Sequence, residues 1–424
     1  MPRIRISHPT GRLHASLRLE GSKSISNRAL IALALCDADP EAWLSGLSDA
    51  QDTLTLRRLL AQPSAQPYDA GDAGTTFRFL TAYLSTRPDT QLLTGSARML
   101  QRPIGPLVEA LRTLGADIEY LGESGYPPLR IGPPRYSLSG GRRSLPVSAS
   151  TSSQFLSALL LIGPYLPGGL ELVPEGHLVS RPYVDMTLHL MRHFGAEAYW
   201  AGERLVVEAG GYMPRPLRVE ADWSAASYWY AMAVLCESAD LRLAGLFAES
   251  WQGDAAIAAL MERQFGIQTA YEADGIRLSK SGAPMRPVLE YDFLDCPDLV
   301  QTVAVLCAAC GVQGLFSGLD TLALKETDRV AALRTELAKV GVSLLRMPAH
   351  FSRKEPARTY YTVQGRAHWQ PPLRLATYGD HRMAMAFAPL ALLGPVEMDD
   401  PQVVGKSYPR FWADWQAAGG QMAG

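Results

Sequence analysis

Five times along this chain, a helical pattern ends in glycine and runs into an apolar, alternating segment. The glycines that end these helices are Gly115, Gly195, Gly266, Gly341 and Gly419, at steps of 80, 71, 75 and 78 residues. Glycine suits the position after a helix, where the backbone turns left-handed. Alternation with period two is typical of a strand. The sequence therefore predicts a repeated α/β architecture.

The length of the repeat limits how the chain can be organised. A unit of roughly 75 residues holds two helices and several strands, which is longer than a solenoid repeat. About six such units fit into the 424 residues. The proline- and glycine-rich segment 209–217 lies near the middle of the chain and is the best candidate for a domain boundary.

Charge and hydropathy exclude several classes of protein. The chain has 40 basic and 42 acidic residues, a formal net charge of −2, and 47% hydrophobic residues. Proteins that bind nucleic acid usually carry a clear excess of basic residues. Disordered chains have too few apolar residues to form a core. We therefore expect a globular protein that does not bind nucleic acid.

Neither the N-terminus nor the longest uncharged stretch predicts contact with a membrane. The first residues lack the apolar core of a signal peptide. The stretch 299–319 contains Gln301 and Thr302, which favours a buried helix followed by a loop over a membrane span. Cys307 and Cys310 lie in this apolar run, where we expect free core thiols. Free thiols and the absence of an export signal predict a cytoplasmic protein.

Two segments combine glycine, hydroxyl residues and basic residues at the start of a predicted helix. Segment 21–28 reads GSKSISNR, and segment 71–78 reads GDAGTTFR. Small residues at a helix N-terminus let backbone N–H groups approach an anion, and arginine adds a bidentate fork. The spacing is not that of a P-loop, and a well-capped helix explains either segment alone. Two such segments predict substrates with several negative charges.

Further polar clusters stand where predicted apolar helices begin. Hydroxyl and amide residues at 148–154 and 180–183 suit recognition of hydroxyl or phosphate groups, although serine caps explain some of them. Charged clusters occupy 325–329, 378–382 and 405–406, and the usual alternative for them is a solvated charge run. Their position against apolar helices favours a site.

Lysine is rare in this chain, and its positions are informative. Only six of the 40 basic residues are lysines, and Lys23, Lys325 and Lys406 lie at the junctions described above. Lysine is a compact, titratable charge, whereas arginine is a fixed fork. Asp298 also begins an apolar helix, where the commonest role of an aspartate is an N-cap.

The basic residues at these junctions predict a positive cleft that attracts polyanionic small molecules. They are Lys23, Arg28, Arg78, Arg102, Lys325, Arg329, Arg382 and Lys406. The sequence has no cluster with convincing metal-ligand spacing, no GxGxxG fingerprint and no GxSxG elbow. We therefore expect an enzyme or binding protein without metal or cofactor.

In order along the chain, these segments resemble the EPSP synthase family of enolpyruvyl transferases. The matching strings are GSKSISNRA, DAGTTFR, RPIGPLVEAL, SSQFLSALL, SRPYVDMTLHLM, ADWSAASYW, KETDR and DHRMAMA. The resemblance implies an α/β fold of two domains, an inside-out α/β barrel in which each domain has three βαβαββ units with helices buried inside sheets. One domain would be 21–220, the other 1–20 plus 221–424, with the active site in the cleft between them.

The same resemblance implies the reaction and its ligands. An enolpyruvyl group would pass from phosphoenolpyruvate to the 5-hydroxyl of shikimate 3-phosphate, with release of phosphate. By matching positions, the residues holding shikimate 3-phosphate would be Lys23, Ser24, Arg28, Ser152, Ser153, Gln154, Ser180, Tyr183, Asp298 and Lys325. Those holding phosphoenolpyruvate would be Lys23, Gly74, Arg102, Gln154, Arg329, Arg382 and Lys406.

The resemblance also implies chemical roles. Asp298 would accept the hydroxyl proton, Glu326 would protonate the methylene carbon, and Lys23 would stabilise the departing phosphate with Lys406. We expect a monomer that needs no cofactor. One alternative is the related transferase acting on UDP-N-acetylglucosamine, which carries a cysteine in the loop that is cysteine-free here at 94–103. The other is a non-catalytic anion-binding relative, which would be expected to lose Asp298 or Glu326.

Overall fold

The computed structural model of the chain describes residues 2–62, 67–136, 141–148, 153–176, 178–351 and 358–424. The chain separates into two compact units. The inserted unit is Gly21–Val219, and the split unit combines Met1–Glu20 with Glu220–Gly424. Each unit mixes helices and strands.

The split unit begins with two strands, β1 (Arg3–Ser7) and β2 (Arg12–Arg18). The inserted unit follows. Its elements are α1 (Lys23–Leu35), α2 (Pro40–Trp43), β3 (Leu44–Ser45), α3 (Gln51–Leu60), β4 (Tyr68–Asp69), α4 (Gly74–Leu84), β5 (Gln91–Thr94), α5 (Gly105–Leu114), β6 (Asp117–Tyr120), β7 (Leu129–Gly132), β8 (Arg143–Ser148), α6 (Ser153–Ile162), β9 (Leu170–Glu175), α7 (Arg181–His193), β10 (Ala198–Ala201), β11 (Arg204–Val207) and β12 (Leu217–Arg218).

The chain then completes the split unit. Its remaining elements are α8 (Trp223–Leu235), β13 (Ser238–Ala244), α9 (Ala256–Phe265), β14 (Ile267–Glu272), β15 (Gly275–Lys280), β16 (Val288–Asp292), α10 (Val300–Cys310), β17 (Gln313–Ser317), α11 (Arg329–Ala338), β18 (Ser343–Arg346), β19 (Tyr361–Gln364), β20 (Leu373–Leu375), α12 (His381–Phe387), β21 (Val396–Asp399), α13 (Phe411–Ala417) and β22 (Gln421–Ala423). Short 3₁₀ turns connect several of them.

One pairing pattern recurs in the sheets. Within the described residues, each four-stranded sheet has a parallel pair followed by two antiparallel pairs. The sheets of the inserted unit are β4–β5–β7–β6 and β8–β9–β11–β10, and those of the split unit are β2–β13–β15–β14, β16–β17–β19–β18 and β20–β21–β1–β22. The N-terminal strand β1 therefore completes the last sheet.

Each of these sheets belongs to a βαβαββ unit, which matches the two helices and several strands that the repeat predicted and the element order that the resemblance implied. In all five copies the predicted glycine follows the second helix by one to three residues. The five glycines have φ between 68° and 113°, which is left-handed backbone. The elements α1, β3, α3 and β12 form a shorter copy, in which β3 and β12 pair in parallel.

The two helices of a repeat differ in burial. In the split unit the first helices are buried all round: 12 of 13 residues in α8, ten of 11 in α10 and all seven in α12. A helix that is apolar all round must lie inside a core. The second helices are buried on one face, as in α5, where Leu107, Val108, Leu111 and Leu114 are buried. The predicted α/β class with helices buried against sheets is confirmed.

The apolar stretch 299–319 holds a buried helix, as predicted, but not the loop that was expected after it. Helix α10 spans Val300–Cys310, and strand β17 follows at Gln313–Ser317. The strand forms because Leu315 and Phe316 belong to a segment that pairs on both sides, with β16 and β19. Cys307 and Cys310 are free thiols in α10. No helix in the described part of the chain is long and apolar enough to cross a membrane.

We predict that Gly266→Ala destabilises the protein more than Gly282→Ala. Both glycines have left-handed backbone, with φ of 68° and 75°. A Cβ atom at Gly266 would lie 2.8 Å from the carbonyl oxygen of Ala283, whereas one at Gly282 would meet nothing within 4 Å. The left-handed conformation alone costs about 1–2 kcal/mol for alanine, and the backbone clash should roughly double that loss. Urea unfolding of both variants measures the difference, and equal losses would contradict the steric argument.

Candidate active site

In the inserted unit, polar side chains gather at the N-terminal ends of buried helices. Lys23 is the first residue of α1, and its Nζ lies 3.3 Å from Oδ2 of Asp52 in the first turn of α3. The backbone oxygen of Asp52 accepts a hydrogen bond of 2.9 Å from Thr76 in α4. One buried aspartate therefore links the starts of three helices, through its carboxylate to Lys23 and through its backbone oxygen to Thr76.

Two guanidinium groups converge on Gly74, the first residue of α4. A Cβ atom at Gly74 would lie 2.5 Å from Nη1 of Arg102 and 2.7 Å from Nη1 of Arg78. Nε of Arg102 is buried and has no hydrogen-bond partner among the described residues. The side-chain amide of Gln154 donates to Thr75 Oγ1, beside Gly74, at 3.1 Å. Forked cations at a helix N-terminus can bind a carboxylate or a phosphate.

Arg28 is buried and anchors neighbouring segments. Its Nε donates to Thr187 Oγ1 at 2.8 Å, and its Nη2 donates to Ser157 Oγ at 2.9 Å. The backbone oxygens of Ser24 and Tyr183 accept further bonds of 2.9 and 3.2 Å. No carboxylate within the described residues forms an ion pair with it, and burial lowers the pKa of Arg28 to about 10. A buried cation without an anionic partner favours binding of an anionic ligand nearby.

The predicted hydroxyl residues have distinct places in the inserted unit. Ser153 is the first residue of α6, whereas Ser152 lies outside the described residues. Ser180 precedes α7 in a left-handed conformation, with φ of 58° and only 6% of its surface exposed. The half-buried Tyr183 donates its backbone N–H to the oxygen of Ser180 at 3.1 Å. Non-glycine residues in this conformation are strained by about 1–3 kcal/mol and are common at ligand sites.

In the split unit, Arg329 holds three carboxylates. Its Nε lies 2.7 Å from Asp380, its Nη1 lies 3.0 Å from Asp298, and its Nη2 lies 2.9 Å from Glu326. The Arg329 side chain is 2% exposed. Burial alone would lower the pKa of Arg329, but Asp380, Glu326 and Asp298 outweigh burial and raise it. The guanidinium therefore stays charged and orients Asp298 and Glu326 together.

Two more cations bind the same carboxylates. Nη2 of Arg382 lies 2.8 Å from Oδ2 of Asp298, and Nζ of Lys406 lies 3.4 Å from Oε1 of Glu326. The backbone N–H of Arg382 donates to Asp380, the N-cap of α12, at 2.9 Å. The start of α12 thus supplies both Asp380, which pairs with Arg329, and Arg382, which pairs with Asp298.

Lys325 differs from the other cations of the split unit. It is half-buried, and it has no ion pair or hydrogen bond of its side chain within the described residues. Burial lowers the pKa of Lys325, although Asp298 and Glu326 act in the opposite direction. An ammonium group with unused donors and little water around it is suited to bind an anionic ligand.

The structure thus brings the predicted residues into two clusters, one in each unit. The inserted unit contains Lys23, Ser24, Arg28, Gly74, Arg102, Ser153, Gln154, Ser180 and Tyr183. The split unit contains Asp298, Lys325, Glu326, Arg329, Arg382 and Lys406. Sequence reasoning missed Asp52 as the partner of Lys23, and it included Asp380 only as a member of the charged cluster 378–382. The available signal for Asp52 was its position, because an acidic side chain in the first turn of a helix is favourably placed near a cation such as Lys23.

Comparison with known proteins identifies relatives over the whole chain. The profile of the family described as EPSP synthase (3-phosphoshikimate 1-carboxyvinyltransferase) matches residues 55–415. A 3-phosphoshikimate 1-carboxyvinyltransferase of Bacteroides fragilis is 46% identical over 420 residues, covering 98% of each chain. One of Neisseria meningitidis serogroup B is 35% identical over 430 residues, covering 95% of this chain and 96% of its own.

Solved structures have the same fold at lower identity. EPSP synthase from Acinetobacter baumannii superposes with a TM-score of 0.76 at 20% identity and covers all of both chains. The enolpyruvyl transferase NikO from Streptomyces tendae superposes with a TM-score of 0.71 at 18% identity, covering 99% of this chain and 98% of its own. The fold is therefore shared by transferases with different names.

We predict that Asp380→Ala strongly destabilises the protein, whereas Asp399→Ala has little effect. Asp380 is buried against Arg329, and removing it leaves a buried guanidinium without its main partner. Breaking such a buried pair costs about 3–5 kcal/mol. Asp399 pairs with Arg3 at 2.6 Å where both side chains are partly exposed, and exposed pairs contribute about 0–1 kcal/mol. Denaturant unfolding compares the two, and a small loss for Asp380→Ala would contradict the proposed importance of the network.

Proposed function

The chain belongs to the EPSP synthase family, and we propose that it transfers the enolpyruvyl group of phosphoenolpyruvate to the 5-hydroxyl of shikimate 3-phosphate. The observation that carries this proposal is the bonding of Arg329 to both Asp298 and Glu326, at 3.0 and 2.9 Å. The reaction needs one group that accepts a proton from the hydroxyl and one that donates a proton to carbon. A single buried guanidinium holds candidates for both.

We assign shikimate 3-phosphate to the residues that the resemblance implied for it. The ammonium of Lys325, which has no partner within the described residues, and the strained Ser180 support this assignment. The proposed residues are Lys23, Ser24, Arg28, Ser152, Ser153, Gln154, Ser180, Tyr183, Asp298 and Lys325. The contacts of Arg28 modify its expected role, because its hydrogen bonds to Ser24 and Tyr183 make it an organiser of this group.

We assign phosphoenolpyruvate to the forked cations and the lysines. The convergence of Arg102 on Gly74 supports this assignment, because a side chain at Gly74 would fill the space beside the guanidinium. The proposed residues are Lys23, Gly74, Arg102, Gln154, Arg329, Arg382 and Lys406. Since three carboxylates already hold Arg329, we expect it mainly to orient Asp298 and Glu326.

The proposed chemistry is addition followed by elimination. Asp298 accepts the proton of the 5-hydroxyl as its oxygen bonds to C2 of phosphoenolpyruvate, and Glu326 donates a proton to the methylene carbon. A proton then returns from the new methyl group to Glu326 as the bond from C2 to the phosphate oxygen breaks, and the proton held by Asp298 leaves with the phosphate. Lys23 and Lys406 stabilise the negative charge on the departing phosphate.

The alternatives fit the observations less well. The fold alone does not identify the acceptor substrate, because NikO, an enolpyruvyl transferase with a different name, also superposes on this chain. Identity of 46% over nearly the full chain to a 3-phosphoshikimate 1-carboxyvinyltransferase favours shikimate 3-phosphate over UDP-N-acetylglucosamine. The ion pairs of Asp298 and Glu326 favour an enzyme over a non-catalytic relative. We further propose that the protein is cytoplasmic and monomeric.

The first test is release of phosphate from phosphoenolpyruvate with each acceptor. We expect turnover with shikimate 3-phosphate and none with UDP-N-acetylglucosamine. Asp298→Asn should lower kcat by about 10²–10⁴-fold, because the amide cannot accept the proton. Asp320→Asn, at an exposed aspartate of the same unit, is the control. Turnover with the sugar nucleotide would refute the acceptor, and near-normal turnover by Asp298→Asn would refute the role of Asp298.

We also predict that Lys23→Arg and Lys406→Arg lose much of the activity although the charge is kept. The guanidinium is broader than an ammonium group and cannot release a proton near neutral pH. Both lysines have nearly buried side chains, 15% and 16% exposed, so a larger group lacks space. Lys280→Arg is the control, because the exposed Lys280 donates to backbone oxygens at the end of α8 and lies in neither cluster. If all three variants turn over substrate equally, these sites require only positive charge.

A further inference from the structure

A buried carboxylic acid that has no part in the chemistry above lies in the split unit. Asp254 belongs to a 3₁₀ turn just before α9 and is 4% exposed. Its Oδ2 accepts a hydrogen bond from the hydroxyl of Ser224, in the first turn of α8. Its Oδ1 is buried and has no hydrogen-bond partner in the described residues. No cation within those residues forms an ion pair with it.

Other buried acids of this unit are satisfied quite differently. Glu220 accepts hydrogen bonds from Trp223 Nε1, the Phe247 N–H, Ser250 and Gln252. Asp380 has Arg329 on both of its oxygens. Asp254 has one hydroxyl donor, which is too little to stabilise a buried anion. The neutral carboxylic acid is the form that this environment favours.

The charged and titratable groups around Asp254 reinforce that preference. Burial is the main cause that raises the pKa of Asp254 from 3.8 to about 7, and Asp298 raises it further. Arg382 and the bond from Ser224 act against this shift, and Asp222 adds to it slightly. The groups facing Asp254 are Asp298, Arg382, Asp222, Tyr291 and Cys296. Arg382 is the only cation in that set, and it bonds to Asp298 at 2.8 Å.

We propose that Asp254 is a positioning residue that works as a neutral acid, so that it adds no second negative charge beside the one that Asp298 places on Arg382. The proposal rests on the assignment of Arg382 to phosphoenolpyruvate. An ionised Asp254 would add a second negative charge facing Arg382. The attraction of Arg382 for an anionic substrate would then fall, because interactions of charges in a buried site are only weakly screened. Binding of phosphoenolpyruvate should therefore weaken as Asp254 loses its proton.

The state of Asp254 can be tested without any activity. A carboxyl group whose pKa is raised on folding stabilises the folded state only while it is protonated. Stability is therefore lost as the pH rises from the unfolded value to the folded value, from about 4 to about 7 here. Asp254→Asn cannot lose a proton and escapes this loss. We expect the melting temperature of Asp254→Asn minus that of the wild type to increase by roughly 3–8 °C over this range and then stay constant.

The link to Arg382 is tested by kinetics. We expect the KM for phosphoenolpyruvate of the wild type, divided by that of Asp254→Asn, to rise about tenfold between about pH 6 and about pH 9. Titration of the substrate itself cancels in this ratio, and the ratio of kcat values should stay nearly constant. Asp320→Asn is the control, because Asp320 is an exposed aspartate of the same unit and is not among the groups that face Asp254. Its ratio to the wild type should not change with pH.

The outcomes separate the parts of the proposal. A melting-temperature difference that does not change with pH would show that Asp254 is ionised, and this would overturn the proposal. A pH-dependent melting difference with a constant KM ratio would also overturn it, because the protonation would not reach Arg382. If the wild type lacks phosphoenolpyruvate-dependent activity, the proposed function fails, while the melting experiment still reports on Asp254.

Discussion

The guanidinium of Arg329 holds three carboxylates that come from three separate segments of the split unit. Asp298 stands before α10, Glu326 lies three residues before α11, and Asp380 caps α12. Removing these groups from water is costly, and only close, well-directed bonds compensate for it. The bonds of 2.7–3.0 Å meet that condition and tie the starts of these elements to one another. The proposed base and acid inherit their positions from this network.

The cluster in the inserted unit has an excess of cations, whereas in the split unit three carboxylates surround Arg329. Among the residues named there, Lys23, Arg28, Arg78 and Arg102 are cations, and Asp52 is the acid that partners Lys23. Phe79 and Phe155 lie beside the guanidinium groups of Arg28 and Arg78, at 5.3 and 5.4 Å from the ring centres. Aromatic faces stabilise cations without neutralising them. Such a cluster keeps its positive charge for anionic ligands.

Both clusters follow from the repeat. The first helix of each βαβαββ copy is buried, and the N–H groups of its first turn have no partners within the helix. Polar side chains at the start of the helix can bond to these N–H groups. Because the helix is buried, little water competes for the same side chains. Residues of α1, α4 and α6, which pack on one another, therefore meet although they are far apart in sequence.

The sequence by itself determined the repeat, the buried helices and the junctions where polar residues collect. These features are local, because a glycine after a helix, an alternating strand and an apolar helix each show in a short window. Only the tertiary structure decided which side chains bond to one another. Arg28 reaches Thr187 across 159 positions, and Arg329 reaches Asp380 across 51. The single hydroxyl donor of Asp254 comes from a residue 30 positions away. No short pattern records such distances, because the partners are chosen by how buried helices pack and by which charges the core leaves without water.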